Sequence, residues 1–150
     1  MRAVIQRVSK VKLSIENEII SEIKKGLLVF IAIEESDEKE DILWLSKKIA
    51  SLRIFNDENG LLNKSSNDIE CEIMVVSQFT LFASTKKGNR PSFIRAAKQD
   101  FAYNFYCEFI SQLEIDSGKI IKTGKFAANM QIELINDGPV TIIIDSKNRE

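Results

Sequence analysis

The sequence predicts an α/β protein in which a mixed β-sheet, or two stacked sheets, carries two helices on one side. Three observations lead there. Residues 26–33 (GLLVFIAI) and 73–82 are strongly apolar runs of strand length, as expected for strands buried on both faces. Each precedes a stripe at helical spacing: Ile42, Leu45, Ile49 and Leu52, bordered by Trp44, and then Phe101, Phe105, Phe109 and Leu113. The first and last thirds carry strand patterns and no helix, which excludes pure parallel winding.

Taken in order, residues 1–8 and 11–15 read as strands, and 18–23 follows after a turn at Glu16-Asn17. Residues 26–33 form the buried strand. Residues 36–41 (SDEKED) start a helix with a capping residue and acids in its first turn. Residues 56–60 (NDENG) make a turn, and 73–82 is the second buried strand. A loop over 83–90 leads to Pro91, placed in the first turn of the second helix, which Asp116-Ser117-Gly118 ends. Residues 120–125, 129–135 and 140–145 are the last strands, with Asn136-Asp137-Gly138-Pro139 joining the final pair. The polar tail from Ser146 is expected to fray. With no repeat, low-complexity tract or linker, residues 1–150 read as one domain.

Composition excludes several function classes. Lys plus Arg is 21 against 22 Asp plus Glu, a net charge of −1. A generally polycationic nucleic-acid binder is excluded, DNA is not an expected partner, and RNA contact requires a local basic patch. The absence of histidine removes Ser-His-Asp and Cys-His catalysis and HExxH zinc sites. Cys71 and Cys107 form neither CxxC nor zinc spacing, so no disulfide framework is expected and a reducing cytosol suits the chain. The N-terminal run carries charges unlike a signal peptide, and no apolar run is long enough for a bilayer. A cytoplasmic protein without membrane contact, metal or cofactor is expected. Residues 34–41 hold six acids against Lys39, read as a solvated helix start, with a metal site a poor second because no compact ligand spacing occurs.

Four features are candidates for chemistry. Within 73–82, strict alternation places Val76, Gln78, Thr80 and Phe82 on one face and Val75, Ser77, Phe79 and Leu81 on the other. Three polar side chains so close in a buried strand need partners, since an unpaired one costs about 1–3 kcal/mol. Either they bond to neighbouring backbone at an exposed strand end, or they line a ligand pocket. Residues 136–141 (NDGPVT) read as a tight turn or as a rigid backbone wedge, in which a Gly-Pro bond is able to be cis. Residues 84–98 carry Lys86, Lys87, Arg90, Arg95 and Lys98 and no acid. They read as a solvated loop and helix start, or as a phosphate-binding loop beside the polar strand end. In residues 123–130, small residues flank Phe126, and Met130 is a soft group suited to packing a planar base. The plainer reading there is a kink or bulge at Gly124.

Together these segments resemble the D-aminoacyl-tRNA deacylase family over essentially the whole chain. The resemblance runs through MRAVIQRVS at the N-terminus, KGLLV at 25–29, LRIF at 52–55, VVSQFTL at 75–81, RPSF at 90–93, Thr123-Gly124 with Phe126, and NDGPVT at 136–141. SQFTL followed by NxGPxT is the specific pair. The intact SQFTL argues against the sibling that clears L-alanine mischarging. The resemblance implies β/β/α layers and a homodimer with a composite site. In it, a cis Gly138-Pro139 reaches into the partner's pocket and presents paired carbonyls to the α-carbon of the aminoacyl group. Ser77, Gln78, Phe79 and Thr80 would form the opposite, catalytic wall, Phe79 mainly through backbone. Asn136 and Thr141, with Phe126, Ala127, Ala128 and Met130, would complete the substrate site, Met130 near the terminal adenosine. Lys86, Lys87, Arg90 and Arg95 would hold RNA. One departure is visible: the family pattern TGxFGA reads TGKFAA here, with Ala127 in place of glycine. If that position requires a positive φ, alanine costs roughly 1 kcal/mol.

The implied reaction is hydrolysis of the ester joining a D-amino acid to the terminal ribose of tRNA, with glycyl-tRNA a slow, unwanted substrate. Neither signature motif contains a side-chain base except Asp137, and nothing adjacent would activate Thr80 as a nucleophile. A substrate-assisted route, in which the ribose 2′-hydroxyl helps activate water, is the preferred expectation. The alternatives are a non-catalytic RNA-binding dimer that uses residues 86–98, and an esterase on small acyl esters.

Overall fold

One long strand organises the molecule. The structure, a computed structural model, describes residues 1–149. In chain order the elements are β1 (Arg2–Ile15), β2 (Glu18–Ile23), β3 (Gly26–Ala32), α1 (Lys39–Ala50), β4 (Phe55–Asn56), β5 (Leu62–Lys64), β6 (Glu72–Ser77), a 3₁₀ turn (Phe79–Phe82), α2 (Gln99–Ser117), β7 (Ile121–Thr123) and β8 (Gln131–Asp145). β1 is continuous where the sequence pattern suggested two strands. One edge of β1 pairs with β3 through Arg2 to Val8 and with β2 through Val11 to Ile15. The other edge pairs with β8 from Arg2 to Ser14. Register shifts between Gln6 and Lys10 bend the strand at exposed Ser9 and Lys10. β3, β6 and β7 then run parallel to one another, so the sheet is mixed.

The bend creates two cores. Met1, Ala3 and Ile5 face the helices with Leu27, Val29, Ile31, Ile73 and Val75, against Ile42, Leu45 and Ile49 of α1 and Phe109 and Leu113 of α2. Beyond the bend, Val8, Val11 and Leu13 face the opposite side of β3 and β6, at Leu28, Met74 and Val76. Alternate residues of β3 and β6 therefore enter different cores, which is why β3 and the interior of β6 are apolar on both faces. Each large side chain so buried contributes roughly 1.5–3 kcal/mol. The helices cross-link where Ser46 Oγ donates to Asp116 Oδ2 at 2.6 Å. Among the described residues, no helix is long and apolar enough to cross a membrane.

Four local expectations are corrected. Helix α1 begins at Lys39, later than Ser36. Its cap is Glu38, whose amide donates to Asp41 Oδ2 at 2.8 Å. The acids of 34–41 are mostly engaged: Asp37 is buried against the Met1 ammonium, Glu34 pairs with Arg95, and Glu35 accepts from the Lys98 amide. Pro91 lies outside α2, in a segment closed by reciprocal backbone bonds of 2.8 and 2.9 Å between Ser84 and Ser92. Ser146 is buried and its hydroxyl accepts from the Met1 ammonium at 2.7 Å, so the tail is anchored. The C-terminal end of α2 and the turn of the first hairpin follow the sequence reading. Gly118 caps α2 at φ 64°, and Glu16 and Asn17 take the positive φ values of a tight turn.

Candidate active site

A cavity of about 430 Å³ opens at the C-terminal ends of the parallel strands, where α/β sheets place their ligands. Its walls come from Ile31, Ala32 and Ile33 at the end of β3, Val76, Ser77, Gln78 and Phe79 at the end of β6, the start of α2, and residues 126–130 and 132 ahead of and within β8. Four expected residues on one side, Phe126, Ala127, Ala128 and Met130, thus meet three on the other, Ser77, Gln78 and Phe79. Thr80 does not line the cavity itself. Ala97, Gln99, Ala102 and Asn129 also line it and were missed. The available signal for the first three was the position of α2, directly after the polar strand end.

The second buried strand stops at Ser77, which overturns strict alternation through Phe82. The last ladder partner is Ile31↔Ser77, and the last bond of β6 runs from the Gln78 amide to the Ile31 carbonyl at 2.8 Å. With no strand partner beyond, the backbone bonds to itself: Leu81 N–H to Gln78 O at 3.2 Å and Ala83 N–H to Thr80 O at 3.0 Å. Phe82 is thereby buried while Phe79 is 57% exposed. The Gln78 amide nitrogen donates to Thr80 Oγ1. The amides of Phe79 and Thr80 open the 3₁₀ turn and so have no acceptor within it; Phe79 lines the cavity and Thr80 follows it in the chain.

The opposite wall is held by close packing. A side chain on Gly124 would meet Leu13 Cδ1 at 2.8 Å and would also overlap the Met130 sulfur, so glycine permits the approach of Met130. A turn closed by Ala128 N–H to Lys125 O at 3.2 Å follows. Ala127 sits in it at φ 60°, so this alanine occupies a left-handed position. Phe126 packs edge-on against Tyr103 and tilted against Tyr106, at 5.2 and 5.5 Å. Tyr106 is buried, donates from its hydroxyl to Val75 O at 2.9 Å, and has its pKa pushed well above the usual phenol range by burial. It is structural.

Residues 136–139 do not join two strands. β8 runs through them, with Thr141 opposite Gln6 and Asn136 opposite Val8, so the intervening residues bulge from the ladder. The tight turn expected to join two strands here is therefore a bulge within one strand. Asn136 Nδ2 clamps its base, donating to Arg7 O at 2.9 Å and Val140 O at 3.0 Å. Buried Arg7 donates from Nε to Asp137 O at 3.0 Å and pairs with its carboxylate at 3.2 Å. The Gly138–Pro139 bond is cis, and Gly138 has φ 131° with Arg7 Nη2 2.7 Å from where a Cβ would lie. Both residues are exposed and neither lines this chain's own cavity, and Thr141 is exposed with its hydroxyl accepting from Gln6 at 3.2 Å.

Lys86, Lys87 and Arg90 lie exposed on the segment closed by Ser84 and Ser92. Arg95 differs: its guanidinium pairs with Glu34 at 3.1 Å and lies 5.2 Å over the Phe82 ring.

Comparison with known proteins gives a consistent result. The family described as D-Tyr-tRNA(Tyr) deacylase matches residues 4–145. The D-aminoacyl-tRNA deacylases of Flavobacterium psychrophilum and Azobacteroides pseudotrichonymphae are 58% and 59% identical over 150 residues, 100% of each chain. A solved structure titled c-Myc DNA Unwinding Element Binding Protein superposes with TM-score 0.90 at 40% identity, covering 97% of this chain and 98% of its own. A probable eukaryotic D-amino acid tRNA deacylase superposes with TM-score 0.80 over 95% and 97%, and at 16% identity it bears on the fold alone.

Proposed function

The chain belongs to the D-Tyr-tRNA(Tyr) deacylase family and is a hydrolase of D-aminoacyl-tRNA, and from that premise we propose that its catalysis rests on main-chain donors and the substrate's own hydroxyl. The observation that carries this is the composition of the cavity: its described lining residues include no acid, base or thiol. Ser77 and Gln78 are polar but not ionisable at neutral pH.

Water attacks the ester carbonyl carbon. Negative charge develops on the carbonyl oxygen, and the amides of Phe79 and Thr80 are the donors suited to hold it. The bond from that carbon to the ribose 3′-oxygen breaks. The proton lost by water passes by way of the 2′-hydroxyl to the departing 3′-oxygen. Free tRNA and the D-amino acid leave. Thr80 positions Gln78 through their hydrogen bond and supplies its amide; it is not a nucleophile.

Chirality is read by exclusion, with Gly138 and Pro139 supplied by the partner of a homodimer. Their exposure and their separation from the chain's own cavity support that arrangement, as do the apolar residues left uncovered on β8, Ile135 at 59% and Ile143 at 71% exposed. Their carbonyls would admit hydrogen and clash with an L side chain. Asn136 shapes the bulge that presents them. Phe126, Ala127, Ala128 and Met130 receive the terminal adenosine, and Lys86, Lys87 and Arg90 meet tRNA phosphates in the cytoplasm. Because Arg95 is held by Glu34, its part in RNA contact is secondary. The high identity to named deacylases disfavours a non-catalytic RNA-binding role.

The test is one assay of D-aminoacyl-tRNA, L-aminoacyl-tRNA, glycyl-tRNA and a free D-amino acid ester. Rapid cleavage of the first, slow cleavage of glycyl-tRNA and resistance of the L form support the reading. Equal cleavage of D and L forms removes the exclusion filter. Equal turnover of the free ester makes the protein a small-ester esterase.

A further inference from the structure

We propose that Arg2 is a positioning residue for hydrolysis, fixing the 3₁₀ turn that carries the Phe79 and Thr80 amides and tying it to the strand that carries Gly138 and Pro139. Its guanidinium does two jobs at once. One edge engages the end of β8, with Nε 3.1 Å and Nη2 2.9 Å from Asp145 Oδ2. Nη1 donates to the Leu81 carbonyl, inside the turn, at 2.8 Å. The same group lies 4.9 Å over the ring of Phe82, which closes the turn and is buried.

The turn needs such an anchor. It lies past the last ladder bond of β6, so no sheet partner fixes it. Arg95 lies over the same ring from the segment before α2, and each cation is matched by a carboxylate, Asp145 for Arg2 and Glu34 for Arg95. Phe82 and the turn are thus fixed from three directions: β1, β8 and the chain entering α2. Arginine suits the task because its planar fork offers separate donors to the carboxylate and the carbonyl; a lysine at position 2 would have to choose.

This inference rests on the proposed role of the Phe79 and Thr80 amides. A displacement of those donors of about 1 Å is enough to slow an oriented reaction on the order of 100-fold. Arg2→Lys and Arg2→Met should therefore lower kcat for D-aminoacyl-tRNA by roughly 10- to 100-fold. KM should stay within about twofold, because neither the RNA-contacting cations nor the cavity walls are touched. Asp145→Asn, which keeps the shape and weakens the bond, should lower kcat less. The double variant Arg2→Met/Asp145→Asn should be no slower than Arg2→Met, since both act through one contact.

The experiment is steady-state deacylation by these full-length variants, with thermal midpoints recorded in parallel. A fall in kcat at constant KM in folded protein, non-additive with Asp145→Asn, supports the clamp. If Arg2→Met is too unstable to assay, Arg2→Lys and Asp145→Asn decide. A lowered midpoint with kcat unchanged in those variants means that Arg2 only stabilises the fold, and overturns the proposal. A wild-type protein inert toward D-aminoacyl-tRNA would instead remove the reading of the site itself.

Discussion

At Ala127 the backbone is left-handed, at φ 60°, on a residue that carries a Cβ. Alanine there costs roughly 1–2 kcal/mol in the folded state, partly offset because glycine loses more freedom on folding. Ala127→Gly should raise unfolding free energy by about 0.5–1 kcal/mol, read from urea midpoints, with deacylation retained. A lower midpoint would show that the methyl group contributes packing that outweighs the strain. Thr80 gives the sharper chemical contrast. Its hydroxyl accepts from Gln78 and lies outside the cavity lining, so Thr80→Ala should slow hydrolysis only a few-fold. A drop on the order of 10⁴ or more would make it a nucleophile.

The element that matters most beyond the cavity is the bulge of β8. Its shape depends on Asn136, whose amide donates to the Arg7 carbonyl across on β1 and to the Val140 carbonyl beyond the bulge. Asn136→Ala should cost about 1–3 kcal/mol of stability and reduce the ratio of D to L cleavage, measured with paired aminoacyl-tRNAs. An unchanged ratio would mean that the bulge holds its form without this clamp. The same element shows where sequence reasoning stops. Asn-Asp-Gly-Pro is turn chemistry, and turn chemistry is local. Whether the flanks fold back on each other or both pair with a third strand is decided by β1, long enough to accompany β8 through both flanks. Likewise, apolarity continues to Phe82 although the ladder ends at Ser77, because a 3₁₀ turn buries Phe82 by a different period. By contrast, strand β3 and the stripes of both helices were legible, since burial on one face or both imposes a period on the residues themselves, and β2 was legible from the turn at Glu16-Asn17 that precedes it. Ser77, Gln78, Phe79, Phe126 and Met130 stood out by chemistry, whereas Ala97 and Ala102 acquire a role only from where α2 begins.

For the molecule as a whole, carboxylates gathered around the end of β8 shape the response to acid, Asp41 and Asp145 both bonding to Lys147. Burial works against the charged forms of Asp41 and Asp145. Hydrogen bonds from Ser146, the Glu38 amide and Lys147 outweigh it at Asp41, and bonds from Arg2 and the Lys147 amide outweigh it at Asp145, holding both carboxyls below the usual range. The unfolded chain therefore takes up these protons first, and stability present above about pH 4 is lost as pH falls through the folded values. Asp37 acts in the opposite sense, because burial raises its pKa despite the Met1 ammonium. Asp145→Asn should accordingly narrow the gap in urea stability between pH 7 and pH 3.5, and an unchanged gap would exclude this carboxylate as a source of acid lability.

The fold also concentrates charge away from the chemistry: cations lie on the 84–92 segment and ion pairs join the ends of β1 and β8 and the loops holding Glu34 and Arg95, while the cavity holds neutral side chains. Single-turnover hydrolysis of D-aminoacyl-tRNA ending in 2′-deoxyadenosine, against the same tRNA ending in ordinary adenosine, tests that division of labour most directly. A fall of about 10² or more for the deoxy substrate is expected, the scale of a lost acid–base partner. Equal rates for the two substrates would contradict it and require a protein side chain to activate the water.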